Sequence, residues 1–142
     1  MRLIKVFNEG VVMDEILYTR LMNLDLYILP DFRDCGNEFK ENRDWWVGIE
    51  NGKIISYCGC LYTETFCLFN RAWVHPKYRG NGIQKQLIKV RLNAAKSKGL
   101  VTITYTTIDN PASANSLIKK GFKLYIPSWY YAGKDKLYFR KD

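Results

Sequence analysis

At residues 66–84 a β-branched and aromatic run with strand character passes through Arg79-Gly80-Asn81-Gly82-Ile83-Gln84 into a long helical pattern. That context matters more than the string itself. Ile83, Leu87, Ile88, Leu92, Ala94 and Ala95 fall on one helix face with Lys85, Lys89 and Lys96 opposite, and Gly99 marks the stop. Two glycines allow backbone N–H groups to turn toward one point. The helix start adds free donors and a partial positive potential, so an anion such as a pyrophosphate fits there. The bland alternative is a plain connector. No Lys-Ser/Thr pair follows, as a nucleoside-triphosphate loop requires, and the spacing fails the dinucleotide G-x-G-x-x-G pattern.

The rest of the chain alternates strand and helix signals. Residues 3–7 read as a strand ending at Asn8-Glu9-Gly10. From 13 to 29, Met13, Ile16, Leu17, Leu21, Leu24 and Ile28 recur at helical spacing with Asp14 and Glu15 in the first turn, until Pro30 stops the pattern. Residues 31–44 are polar and aperiodic, a loop or a short helix. Runs at 45–50 and 53–62 flank Asn51-Gly52, a strong hairpin signal because both residues tolerate positive φ. The 66–74 strand completes an antiparallel meander. If the turn between the last two strands is Thr63-Glu64, Cys60 lies opposite Cys67 and a disulfide becomes feasible. Residues 101–108 read as a strand, 113–120 as a short helix closed by Gly121, and 122–126 and 136–140 as final strands. The order β-α-β-β-β-α-β-α-β-β predicts an α/β or α+β fold with a mixed sheet, and 142 residues suit one domain spanning 1–142.

Composition narrows the function classes. With 47% hydrophobic and 25% charged residues the chain is globular rather than disordered. No apolar run approaches the ~20 residues needed to span a bilayer, and the first residues lack a secretory pattern, so a cytoplasmic protein is expected. Of four cysteines, Cys58 and Cys60 form a C-x-C without a second pair or a His at ligand spacing. Buried thiols in a reducing compartment are therefore expected, with no metal. A net charge of +8 favours anionic partners, whether a nucleotide cofactor, an acidic protein surface or nucleic acid.

The segment Val74-His75-Pro76-Lys77-Tyr78-Arg79-Gly80-Asn81-Gly82-Ile83 resembles the acetyl-CoA motif of the GNAT superfamily of N-acetyltransferases, Gln/Arg-x-x-Gly-x-Gly/Ala, with Gln84 at the last position. Downstream, Asn110-Pro111-Ala112-Ser113 and Gly121-Phe122 are similar to that family's Asn-x-x-Ala/Ser helix ending in Gly-Phe. The resemblance covers nearly the whole chain. It implies a mostly antiparallel sheet splayed between the fourth and fifth strands, 66–74 and 101–108, and flanked by helices. Acetyl-CoA would be the cosubstrate. The backbone of Trp73 and Val74 would bond its pantetheine arm, Arg79, Gly80, Asn81, Gly82, Ile83 and Gln84 would hold the pyrophosphate, and Asn110 and Ser113 would touch the arm from the other side. Lys85 or Lys120 would meet a phosphate or simply face solvent.

Amide formation needs a neutral amine and a proton for the departing thiolate. Many family members carry a Tyr where Leu117 stands, so the acid must come from elsewhere. Tyr105 occupies the strand position of a Glu found in some members, and Tyr130-Tyr131 resembles a Tyr-Tyr of the substrate-side loop. Tyr105 and Tyr130 are the candidate catalytic residues, with core packing as the alternative for each. His75 is expected to be structural. Cys58, Cys60 and Cys67 lie within strands away from that histidine, so direct attack of the amine is expected rather than an acyl-enzyme. The implied partner is a small-molecule or protein amine acceptor, selected by loops at 30–44 and 127–134; a homodimer stays open. A catalytically weak acyl-CoA-binding regulator is the competing reading, and a specific nucleic-acid module is disfavoured because the aromatics sit in core strands.

Overall fold

A computed structural model describes residues 1–28 and 42–142. The strands are β1 (Arg2–Asn8), β2 (Val11–Val12), β3 (Arg43–Glu50), β4 (Lys53–Tyr62), β5 (Phe66–Val74), β6 (Val101–Thr107), β7 (Lys123–Leu124) and β8 (Lys136–Lys141). The helices are α1 (Glu15–Ile28), α2 (Ile83–Ser97) and α3 (Pro111–Lys119). One sheet runs in the order β2-β1-β3-β4-β5-β6-β8-β7. Its ladders are antiparallel except β5 with β6, which is parallel. The expected order of elements recurs with the short β2 added, so the fourth and fifth expected strands are now β5 and β6. Arg43 and Asp44, expected in the 31–44 loop, belong to β3; residues 31–41 lie outside the described residues.

Both sheet faces are covered. On one, Ile83, Leu87, Ile88 and Ala95 of α2 and Ala114 and Leu117 of α3 pack with Trp46, Cys58, Phe69 and Phe139. On the other, Leu17, Leu21 and Leu24 of α1 pack with Val6, Val47 and Tyr57. Asp14 caps α1 by accepting from the Leu17 N–H at 3.0 Å, which starts the helix later than the periodicity suggests. Met13 and Ile16 are consequently exposed. Asp25 is buried instead. A carboxylate is tolerated in that stripe because Tyr57 donates to it at 2.7 Å and Arg71 pairs with it at 3.2 Å.

The Asn51-Gly52 hairpin forms, with φ of 50° and 74°. The next turn departs from expectation. Thr63 bonds Phe66 through its N–H at 2.9 Å, and its hydroxyl oxygen accepts from the Phe66 N–H at 3.0 Å, which places the tight turn at Glu64-Thr65. That shifts the ladder, so Cys60 faces Phe69 and Cys67 faces Tyr62. The two cysteines sit diagonally on one face as free thiols, not as a directly opposed pair.

Candidate active site

The site begins where β5 and β6 stop pairing. They are in register only from Phe66 with Val101 to Phe69 with Thr104, and the Thr104 hydroxyl closes that last rung by donating to the Phe69 carbonyl at 2.8 Å. Across the other edge of β5, Cys60 opposes Phe69 but Gly59 opposes Arg71, so Asn70 is an inserted residue. Such a bulge bends a strand and sharpens its twist. Beyond it β5 runs away from β6, and the edges 70–74 and 105–107 face one another across a cleft of about 2070 Å³. An unpaired strand edge offers N–H and C=O groups to any extended ligand.

The glycine turn sits at the open end of that cleft. His75 Nδ1 accepts from the Lys77 N–H at 3.1 Å and caps a single 3-10 turn, Pro76–Tyr78. Arg79 Nε then donates back to the Val74 carbonyl at 2.9 Å, tying the turn to the end of β5. Gly80 and Gly82 have φ of 82° and 79°, a region L side chains avoid, and a Cβ added at either would meet nothing within 4 Å. Gly82 gives α2 no side-chain cap, so the first N–H groups of the helix have no capping side chain to bond. This is the geometry of an anion cradle.

Most of the expected site residues meet at this cleft. Trp73, Val74, Arg79, Gly80, Gly82, Ile83 and Gln84 line it from one side, Asn110 and Ser113 from the other, and Tyr105 from β6. Asn110 is also the N-cap of α3, accepting from the Ser113 N–H at 3.2 Å. Asn81 is not among the lining residues: its amide donates to the Tyr78 carbonyl at 3.1 Å and so braces the turn from within. Tyr130 is likewise outside, in a smaller hollow beside Leu124 and Ile126, while Tyr131 faces the cleft. The turn explains the swap. Gly133 donates to the Tyr130 carbonyl at 3.1 Å, and the Tyr138 hydroxyl anchors the loop through Ala132 N–H and Gly133 C=O at 3.0 and 2.7 Å, so neighbouring side chains leave on opposite sides.

A scan against family models matches residues 41–124 to the acetyltransferase (GNAT) domain, more than half the chain. The chain belongs to the GNAT acetyltransferase family. Its fold is similar to an acetyltransferase from Streptococcus agalactiae, with a TM-score of 0.73 and 15% identity over 98% of this chain and 97% of that one. Escherichia coli ElaA gives 0.74 and 12% over 99% of both chains. An aminoglycoside 6'-N-acetyltransferase complexed with coenzyme A gives 0.70 and 16% over 99% and 96%. No curated protein sequence matches the chain.

Phenols and buried cations line this GNAT cleft. The Tyr131 ring packs on Tyr138 at 5.0 Å and Tyr105 at 6.0 Å. Burial, with the Tyr125 phenol close by, raises the Tyr131 pKa above the ordinary phenol range, so it stays a proton donor. Arg71 and Arg91 also line the cleft and are both buried. Neither stood out in the sequence, although Arg91 lies on the helical stripe Ile83-Leu87-Arg91-Ala95 and periodicity alone places it inward. Cys58, Cys60 and Cys67 are buried and do not line the cleft. Burial pushes the Cys58 thiol up to about 12 against the opposing field of Arg91. Among the described residues no group of three His, Cys, Asp or Glu could hold a metal, and no helix is long and apolar enough to cross a membrane.

Proposed function

We propose that the protein is an acetyl-CoA-dependent N-acetyltransferase that passes the acetyl group to a primary amine by direct attack. The observation that carries this is the opening of two features onto one cleft: the unpaired β5 and β6 edges, and the glycine turn at the start of α2. The vacant space in front of Gly80 and Gly82 fits a pyrophosphate, and the strand edge at Trp73 and Val74 fits the amide-bearing arm. Acetyl-CoA supplies the activated acyl group. The chain's own residues hold it in line, exclude water and donate protons. Tyr105 and Tyr131 both line the cleft, which supports a role for them in giving or relaying a proton through water, with Tyr131 in the role the sequence suggested for Tyr130. No cysteine among the described residues lines the cleft, which supports direct attack over transfer through a thiol.

The acceptor is a small-molecule or protein amine. One observation favours a weakly catalytic acyl-CoA-binding regulator instead: Leu117, which lines the cleft at 5% exposure, is apolar. Thermal denaturation decides the first step. Acetyl-CoA should raise Tm by mass action, more than ATP at equal concentration, and Gly82→Val should remove the shift while leaving a folded protein. An undiminished shift in folded Gly82→Val refutes the site. Thiol release with a panel of primary amines then separates enzyme from regulator.

A further inference from the structure

We infer that Arg91 is a fixed positive charge at the vertex of the cleft, set to stabilise the negative charge that acyl transfer places on the sulfur of coenzyme A; this rests on the acyl-CoA reading above. Arg91 is 3% exposed in the middle of α2. Its Nε donates to the Leu87 carbonyl at 3.0 Å, and Nη1 reaches the carbonyls of Gly59 and Arg71, each at 3.5 Å. Its guanidinium carbon lies 4.2 Å from the centre of the Phe69 ring. Nη2 has no hydrogen-bond partner, and the side chain has no ion pair, among the described residues. The residue nonetheless lines the cleft.

Those contacts fix its place. Phe69 is the last residue of β5 paired with β6, and Gly59 with Arg71 is the first pair beyond the bulge, so the guanidinium sits beside the vertex of the splay. From Val74, next to the glycine turn, to Arg71 is three residues along β5, roughly 10 Å at strand rise. An extended arm anchored at the turn therefore brings its far end to this vertex.

A buried guanidinium is costly to desolvate, and carbonyls and an aromatic face offset only part of that cost. It cannot shed its proton as a lysine would, so the potential persists at every working pH. In the reaction the neutral amine nitrogen attacks the thioester carbon. The C–N bond forms, the C–S bond breaks, its electron pair leaves on sulfur, and the nitrogen's proton passes through water to the sulfur or to solvent. A thioester is neutral and a departing thiolate is not, so a fixed cation favours the later state over the earlier one.

The test is the acidity of the thiol in bound coenzyme A, read from thiolate absorbance during a pH titration of the wild-type complex. Free coenzyme A titrated alongside gives the reference value. In the complex it should titrate lower by about one unit or more, so coenzyme A gains about tenfold in affinity over its desulfo analogue as pH rises past the bound value. Arg91→Gln should return the thiol to its free value and lower kcat about 10²-fold, and Arg91→Lys should restore part of both. A wild-type bound thiol titrating at or above the free value overturns the assignment whether or not the variants fold. A folded Arg91→Gln protein that keeps the lowered value overturns it too. Failure of coenzyme A to bind wild type overturns the acyl-CoA reading itself, which the thermal shift reports separately.

Discussion

Replacing Asp25 by Asn keeps the volume of the side chain and removes its charge, which isolates the worth of a buried network joining α1 to the sheet. Asp25, Tyr57 and Arg71 are 7%, 0% and 8% exposed, and the carboxylate bonds one partner through each oxygen, at 2.7 and 3.2 Å. Losing the carboxylate leaves the Arg71 charge without this counter-ion, and breaking a buried pair in that way costs about 3 kcal/mol. At ~2–4 °C per kcal/mol for a chain this size, Tm should fall by roughly 6–12 °C. Tyr57→Phe removes one hydrogen bond to a charged group and should cost about 1.5–3 kcal/mol. The double variant should be more stable than the sum by about 1 kcal/mol or more, because the phenol bonds a neutral amide less strongly than a carboxylate. Urea unfolding at pH 7 gives all three energies. A cost for Asp25→Asn below about 1 kcal/mol, with an unchanged m-value, would show that the pair is already solvated and that α1 is held by apolar contact alone.

Three further outcomes follow from the same geometry. A Cβ on Gly59 would lie 2.8 Å from the buried Trp45 ring, so Gly59→Ala should cost about 1–3 kcal/mol in urea unfolding; a neutral result would mean the ring yields freely. Tyr131→Phe should lower kcat about 10²-fold with Tm little changed, while Tyr130→Phe leaves kcat alone; equal effects would contradict the placement of these neighbours. Burial raises the folded pKa of Tyr57 above the ordinary phenol value of 10.0 and that of Cys58 above the ordinary thiol value of 9.0, so unfolding releases protons at alkaline pH. Their contribution is complete below pH 9 and is lost as pH climbs from there, and a Tm unchanged up to pH 11 would contradict it.

The sequence signals that survive intact are those fixed by local chemistry. Asn51-Gly52 needs only two residues that accept positive φ, and the strand-turn-helix at 66–97 needs only a period and two glycines. Long-range register was less legible. The hydroxyl of Thr63 moves the β4–β5 turn by one residue and thereby the cysteine pairing by two, a choice made by one side-chain hydrogen bond that composition does not display. Met13 and Ile16 fit the period of α1 but precede or border the cap at Asp14, so they stay in solvent while Asp25 enters the core on the strength of partners 32 and 46 positions away in sequence. Tyr130 and Tyr131 were indistinguishable as a dipeptide because the orientation of the loop is decided by Tyr138, whose hydroxyl holds Ala132 and Gly133.

Arg71 and Arg91 mark the deeper limit of pattern reading, because a charged residue at an apolar position is ordinarily taken as an error in the period. Counting back from Ala95 by fours gives Arg91, Leu87 and Ile83, all buried, so the period was right and the residue type was the signal. The same holds on β5, where Arg71 opposes Gly59 and shares a face with the paired Tyr57 and Trp73. Both arginines converge on the one bulge that opens the sheet: Arg91 bonds both carbonyls of the first pair beyond it, and Arg71 ties the strand to Asp25 on the opposite face. A bulge leaves carbonyls and N–H groups unpaired inside the fold, and that costs free energy unless donors reach them. Two cations placed at that point brace the strand where it bends; Arg71 is paired with Asp25, which leaves the charge of Arg91 at the vertex of the gap, so the feature that parts β5 from β6 also sets the electrostatics of the cleft that results.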